Sequence, residues 1–214
     1  MKWTRLADLP DPAGLKGMHG GVSHGRLILA GGSNFPIPNT EGGKKTFHAA
    51  IYTQPLSEGG MTPWIRDEQS LPAGLAEGAC VTTPDGVAAL GGFAKSGPVA
   101  TAFLMQWDAV SGRAVFRDLP DLPSARAYAA AAWLDGRLYV AGGQNSAGGM
   151  QEFLVLDLQS KTPHWETLPS WPGPRRFGAV LAVLTFSNVG VASATIREDR
   201  EVRIAAEAAP YISF

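Results

Sequence analysis

The chain has 214 residues, which is enough for one large domain or two small ones. Hydrophobic residues make up 45% and charged residues 17%, and the 26 glycines and 16 prolines favour many short strands over long helices. The formal net charge is −1 without a block of like charge, so nothing in the composition indicates nucleic-acid binding.

The first residues do not form a signal peptide, because no apolar run follows Lys2. The expected location is therefore the cytoplasm, and a chain cut from a longer precursor would instead be periplasmic or secreted. No apolar run reaches the roughly 18 residues of a membrane-spanning helix, so no membrane partner is expected. Cys80 is the single cysteine, which excludes an internal disulfide and a multi-cysteine metal site within the chain.

A repeated pattern runs along most of the chain. An aromatic residue, a Leu-Pro dipeptide, a strand, a turn and a second strand recur in this order, at about the 50-residue period of kelch repeats. Glycine suits the end of the second strand, where the backbone must turn tightly, so we assign these glycines and the aromatic residues to the architecture. The pairs of glycine that end the second strands are Gly31-Gly32, Gly91-Gly92 and Gly142-Gly143.

The repeats predict an all-β fold of the kelch-type β-propeller class with about three and a half blades. Closed propellers have roughly four to eight blades, so an incomplete or open propeller is expected. Asp-Gly turns are predicted at 85–86 and 135–136, and Met1–Leu6 is predicted to be a lone outer strand. Residues 184–214 lack the repeat landmarks and are predicted to be a divergent tail, from a truncated or rewritten blade. The propeller is assigned to 1–183, with blades at 16–67, 77–117 and 126–166 and a partial fourth from 175.

The loop after the first glycine pair is unusually rich in groups that can move protons or bind a polar ligand. It contains Asn34, Glu41, Lys44, Lys45 and His48. Its runs AGGSNFP and EGGKKTFHAAIY resemble the sialic acid mutarotases (N-acetylneuraminate epimerases), and more closely their cyclically permuted relatives. PSARAYAAAAWLDGRLYVAGGQ is similar to a later blade of that family, and the resemblance covers roughly residues 3–183.

The resemblance implies a six-bladed parent and a carbohydrate isomerase that interconverts the α and β anomers of N-acetylneuraminate. It implies no cofactor, and its partner is a small sugar acid. Glu41 stands at the motif position of the family's glutamate and is the predicted acid/base, because ring opening needs one proton removed and another supplied. The alternative for Glu41 is a solvated loop carboxylate.

Arg126 is the predicted second catalytic residue, which would anchor the carboxylate of the substrate through the planar fork of its guanidinium. Arg175 or Arg176 holds the equivalent place in the fourth repeat, and Arg175 is included among the substrate-binding residues. Strand alternation puts the Glu41 loop and the link before Arg126 at the same end of the central channel. The alternative for Arg126 is a structural arginine that joins neighbouring blades.

The other predicted substrate-binding residues are Asn34, Lys44, Lys45 and His48. Their alternatives are a local turn bond for the asparagine, solvation for the lysines and simple packing for the histidine. No metal is expected, because the histidines lack ligand spacing with carboxylates, and no phosphate-binding loop is present. The aspartate boxes of sialidase propellers are also absent, which argues against glycoside hydrolysis.

Two other interpretations of the function remain open. One is a kelch module that binds a protein through its loops and catalyses nothing, or an inactive fragment; another is a mutarotase for a different keto or aldo sugar. An open propeller exposes edge strands, so self-association of two copies is expected. A monomer in light scattering would contradict that expectation.

Overall fold

The computed structural model describes residues 5, 7–11, 14–56, 62–185 and 202–208. These residues form strands and loops, with one turn of 3-10 helix at Asn39–Glu41. Of the predicted outer strand at Met1–Leu6, only Arg5 is among the described residues, and it does not belong to a strand. Within the described ranges, no helix combines the length and the apolar character that crossing a membrane requires.

The first sheet contains four antiparallel strands in the order β1, β2, β5, β6. A tight turn links β1 to β2, and the long loop between β2 and β5 carries its own short hairpin of β3 and β4. The sheet ends at Ser70, beyond the predicted limit at residue 67. The strands are β1 (His19–Ser23), β2 (Arg26–Ala30), β3 (Ser33–Asn34), β4 (Thr46–Phe47), β5 (Ala50–Pro55) and β6 (Ile65–Ser70).

The second sheet follows the same plan without an added hairpin. Its first turn is formed by Pro84 and Asp85, and Gly86 already belongs to the next strand, so the turn lies one residue before the predicted position. Long strands are favoured here because Gly86–Ala94 is almost entirely apolar and is buried on both faces. The strands are β7 (Ala79–Thr83), β8 (Gly86–Ala94), β9 (Gly97–Asp108) and β10 (Arg113–Asp118).

The third sheet again has four strands, in the order β11, β12, β15, β16, and a fourth unit has two strands in the described residues. In the fourth unit, β17 pairs along its whole length with β18, which lies in the predicted tail. The remainder of the tail, 186–201 and 209–214, lies outside the described residues. The strands are β11 (Ala130–Leu134), β12 (Arg137–Ala141), β13 (Gln144–Asn145), β14 (Gly148–Gly149), β15 (Phe153–Asp157), β16 (Trp165–Leu168), β17 (Ala179–Thr185) and β18 (Val202–Ala208).

The units are arranged as consecutive propeller blades. Their first strands, β1, β7, β11 and β17, lie side by side. Apolar side chains fill the space between the first and second sheets, among them Ile28, Ile51 and Met105, and another cluster around Leu104 and Leu138 fills the space between the second and third. Each buried side chain of this size contributes about 1.5–3 kcal/mol, so neighbouring sheets stabilise one another.

The glycine pairs join each sheet to the link that enters the next one. The first glycine of each pair has a positive φ, and its α-carbon packs against a backbone carbonyl of that link. The second glycine donates its N–H to the same carbonyl, at 2.8, 2.8 and 2.9 Å in the three pairs. A side chain on the first glycine would displace the carbonyl, which explains the repeated motif. The three carbonyls belong to Leu75, Arg126 and Arg176.

This register decides an assignment that the sequence left open. Arg176 occupies the place that Arg126 has one blade earlier, whereas Arg175 precedes that place by one residue. Two adjacent arginines in the sequence left both assignments open, and the backbone hydrogen bond from Gly143 to the carbonyl of Arg176 decides between them.

A second backbone pattern lies immediately before the first strands. The N–H of Glu77 donates to the carbonyl of Gly17 at 2.7 Å, the N–H of Tyr128 to Glu77 at 2.7 Å, and the N–H of Gly178 to Tyr128 at 2.8 Å. All four residues have positive φ, between 54° and 67°. Glycine adopts this conformation readily, but Glu77 and Tyr128 adopt it at a cost of about 1–2 kcal/mol each. Their side chains are therefore of functional interest.

Candidate functional site

Glu77 lies at the end of the blades where the β2–β5 loop and the links between sheets meet. This loop and the links share one end because strands within each sheet alternate in direction. The carboxylate of Glu77 has Oε1 3.2 Å from Nζ of Lys16 and 3.5 Å from Nζ of Lys45, and the side chain is only 10% exposed. Lys45 also lies over the ring of Phe47, 5.2 Å from its centroid, within the range of a cation–π contact. Lys45, a predicted ligand-binding residue, is thus held by two neighbours.

Three aromatic rings from consecutive units lie in a row at the same end. Tyr128 is 5.7 Å from the ring of Phe93 and 6.4 Å from the ring of Phe177, measured between centroids. The Phe93–Tyr128 pair has the edge-to-face arrangement that aromatic rings favour. The row gives the mouth of the blades an apolar wall beside the charged cluster around Glu77.

A basic cleft lies between the long loop of the first sheet and the β8–β9 turn of the second. Its volume is about 730 Å³, and three lysines line it: Lys44, Lys45 and Lys95. No acidic side chain is among its lining residues, and Lys44 and Lys95 are exposed. A concave surface with an excess of one charge attracts ligands of the opposite charge. The cleft is therefore suited to an anion.

Lys95 was not predicted from the sequence. It stands in the second repeat at the place where the first repeat carries its long loop, which is the signal that could have identified it. A short AKSG turn gave no reason to expect a site, and only the packing of the two loops brings Lys95 to the cleft shared with Lys44 and Lys45.

An apolar groove of about 700 Å³ continues from the basic cleft. The two share Ala73, Ala94 and Ser96. The groove is lined mainly by leucines and phenylalanines, with two carboxylates among the lining residues, and its apolar surface suits an apolar group of a ligand whose charge lies in the cleft. These residues are Leu71, Leu75, Phe103, Phe116, Leu119, Asp118 and Asp121.

Glu41, the predicted acid/base, ends the short 3-10 turn of the long loop and is exposed. The loop is shaped by backbone bonds: the N–H groups of Glu41 and Gly43 both donate to the carbonyl of Pro38, at 2.9 and 3.1 Å. Across the part of the chain that the structure describes, the carboxylate of Glu41 has no hydrogen bond or ion pair. The carboxylate is thus accessible to a ligand, and its catalytic role stays a prediction.

The side chains of Asn34 and His48 are hydrogen-bonded to one another. Nε2 of His48 donates to Oδ1 of Asn34 at 2.9 Å, and Nδ2 of Asn34 donates to the carbonyl of Gly14 at 3.2 Å. These bonds brace the base of the long loop, close to the pairing of β3 with β4. The geometry gives both residues a supporting role, and their direct contact with a ligand stays a prediction.

Arg126 does not have the environment that the sequence led us to expect. Its side chain is fully buried and donates to the carbonyl of Gly142 at 3.1 Å and to Oγ of Ser124 at 2.7 Å, and it pairs with the carboxylate of Glu152. The guanidinium joins the link after the second sheet to the loop of the third. The alternative role, a structural arginine, therefore replaces the predicted anchor for a ligand carboxylate.

Arg175 is exposed and lines a separate small cavity of about 260 Å³. Asn145, Ser170 and Glu152 line the same cavity. The carboxylate of Glu152 makes this cavity less suited to an anion than the lysine cleft. The structure does not bring Arg175 together with Lys44 and Lys45.

His19, on the first strand of the first sheet, is fully buried against Gly78 and Gly91 of the second. Burial lowers the pKa of the imidazole from 6.5 to about 4, although the carbonyl of Gly91 and the negative charge of Glu77 act in the opposite direction. The ring is therefore neutral at physiological pH and belongs to the interface between blades. It does not face an open channel.

The lowered pKa of His19 predicts a loss of stability in acid. The unfolded chain binds a proton near pH 6.5, whereas the folded chain binds it only near 4. The contribution of the neutral imidazole is complete above about pH 6.5 and is lost as the pH falls toward 4. Between about pH 7.5 and 4.5, His19 alone should lower the free energy of unfolding by about 2 kcal/mol. Urea unfolding at both values should show this loss in the wild type and less of it in His19→Leu; equal losses would contradict the assignment.

Among the residues that the structure describes, no three His, Cys, Asp or Glu side chains come together as a metal site would require.

No protein-family profile matches the chain. The N-acetylneuraminate epimerase of Pasteurella multocida (strain Pm70) is 32% identical to it over 125 residues, which are 50% of this chain and 32% of that protein. The predicted resemblance to the N-acetylneuraminate epimerases is confirmed. The chain matches less than half the length of this curated relative, so the catalytic activity of the chain is taken up below as a proposal.

The solved structure of YjhT matches with a TM-score of 0.63 and 16% identity, over 81% of this chain and 57% of YjhT. At that identity the match concerns the fold alone. Together with the successive four-stranded sheets it confirms the predicted class, an all-β chain that forms part of a β-propeller.

Proposed function

We propose that the chain is a mutarotase that accelerates interconversion of the α and β anomers of N-acetylneuraminate, as an isomerase of carbohydrate metabolism. The observation that carries the proposal is the basic cleft beside the loop of Glu41. A sugar acid needs a cationic site for its carboxylate and a group that moves protons at its anomeric centre. The long loop of the first sheet contributes to both, with Lys44, Lys45 and Glu41 within a few residues of one another.

Glu41 acts as the acid/base in this proposal. Its carboxylate removes the proton of the anomeric hydroxyl while the ring oxygen receives a proton, so that the ring C–O bond breaks and the open-chain ketone forms. Rotation about the adjacent C–C bond and the reverse proton transfers close the ring on the other face. Lys45, which follows in the same loop, is the candidate donor to the ring oxygen. General acid–base assistance of this kind contributes about 10²–10⁴-fold to a rate.

The test is NMR of freshly dissolved crystalline N-acetylneuraminate, with the exchange of anomers followed with and without the chain. We expect acceleration by the wild type and a loss of at least about 100-fold in Glu41→Gln, which keeps the size of the side chain but cannot take the proton. Glu68→Gln is the matched control, because Glu68 is an exposed residue of the outer strand β6. No acceleration by a folded wild type would reject the enzyme and favour the non-catalytic binding module.

A further inference from the structure

We propose that Lys44 and Lys95 form a subsite, between the first and second sheets, that binds the carboxylate of the sugar acid. The proposal rests on the proposed function for the identity of the ligand, and it replaces Arg126 as the predicted anchor. Each lysine comes from a different blade, so the subsite exists only where the two loops pack together.

The charge balance of the cleft supports this assignment. Lys45 already has the carboxylate of Glu77 at 3.5 Å, and Glu77 is in turn shared with Lys16. Lys44 and Lys95 have no ion pair within the part of the chain that the structure describes, and no acidic side chain lines the cleft. Two ammonium groups are therefore left to attract an anion, and a carboxylate would find them without first displacing an internal partner.

The other cations at this end of the blades fit the role less well. Arg126 is fully buried, and its guanidinium already donates hydrogen bonds to Ser124, Gly142 and Glu152. Arg175 lines a cavity that contains the carboxylate of Glu152. Lysine binds a carboxylate as a point charge on a flexible stem and needs no fixed fork, so exposed lysines on two loops can converge on one ligand group.

Glu77 positions one wall of this subsite. Its backbone is fixed by the hydrogen bonds to Gly17 and Tyr128, and its carboxylate fixes the ammonium group of Lys45. Lys45 thereby stays beside Phe47, in the wall of the cleft that Lys44 and Lys95 also line. This arrangement gives a structural reason for the strained conformation of Glu77.

The experiment measures binding without ring opening. The ligand is the α-methyl glycoside of N-acetylneuraminate, whose anomeric oxygen is methylated, and its methyl ester lacks the charge; affinities are measured by isothermal titration calorimetry. We expect the ester to bind at least about tenfold more weakly, and Lys95→Met and Lys44→Met each to weaken binding of the acid by about three- to tenfold. Lys95→Arg should keep most of the affinity. Lys161→Met is the matched control, since Lys161 is exposed in the turn between β15 and β16, at the opposite end of the blades.

The outcomes separate this subsite from the proposed catalysis. Equal binding of acid and ester, no binding of the acid, or unchanged affinity in both lysine variants would overturn the subsite. Lysine-dependent binding in a chain that does not accelerate anomer exchange would keep the subsite and reject the mutarotase. Catalysis that depends on Glu41 and is unaffected by Lys44→Met and Lys95→Met would do the reverse.

Discussion

Arg126→Met is expected to lower the free energy of unfolding by about 3 kcal/mol, because it leaves the buried carbonyl of Gly142 and the hydroxyl of Ser124 without their donor. The carboxylate of Glu152 is 46% exposed and can be rehydrated, so the loss should stay below that of a fully buried ion pair. For a chain of this size the loss corresponds to a fall in the melting temperature of about 6–12 °C, measurable by circular dichroism.

The matched control for Arg126→Met is Arg137→Met. Arg137 pairs with Asp157 at 3.4 Å, but both side chains are substantially exposed, at 54% and 39%. An exposed ion pair of this kind contributes little to stability, so Arg137→Met should change the melting temperature far less than Arg126→Met. If Arg126→Met left the stability unchanged and abolished binding of the methyl glycoside, Arg126 would be the anchor after all, and the structural role would be wrong.

Gly31→Ala is expected to cost about 3 kcal/mol or more, because two effects add. Gly31 has a φ of +73°, which is unfavourable for alanine by about 1–2 kcal/mol. A β-carbon would in addition overlap the carbonyl oxygen of Leu75, and that oxygen cannot move freely because it accepts the N–H of Gly32 at 2.8 Å. Overpacking against backbone adds about 1–3 kcal/mol. Urea denaturation monitored by tryptophan fluorescence would measure the loss.

Gly25→Ala isolates the conformational part of that cost. Gly25 has nearly the same φ, +74°, but a β-carbon there would have no atom within 4 Å. The expected loss is therefore about 1–2 kcal/mol. Equal losses in the two variants would show that the glycine pair is needed only for its backbone conformation and not for contact with the next blade.

Much of the fold could be predicted because its signals are local. The alternation of apolar strands with tight turns is specified by residues that are adjacent in the sequence. A glycine pair is required wherever the end of a strand must approach a backbone carbonyl of the link to the next sheet. The long loop was also identified from its own residues, since Glu41, Lys44 and Lys45 stand within one short run. That run carried the resemblance to the N-acetylneuraminate epimerases, which the comparison confirms.

The site residues that were misassigned or missed depend on partners far away in the chain. The sequence around an arginine in a link does not show whether its side chain contacts a ligand or another residue. In the folded chain Arg126 pairs with the carboxylate of Glu152, which gives it a structural role. Lys95 lies in a short turn whose sequence does not indicate a binding site. It becomes a candidate only because the fold brings it to the cleft that Lys44 also lines.

The conformation of Glu77 also depends on residues that are distant in the sequence. The sequence supplies a glutamate before a strand, but its positive φ arises from backbone bonds to both neighbouring blades. The sequence by itself therefore determined the repeat, the positions of its turns to within about one residue and the chemical character of the long loop, because each is specified by residues close together along the chain. Only the tertiary structure decided which cations remain available to a ligand, because burial and ion pairing depend on which loops meet across the blades.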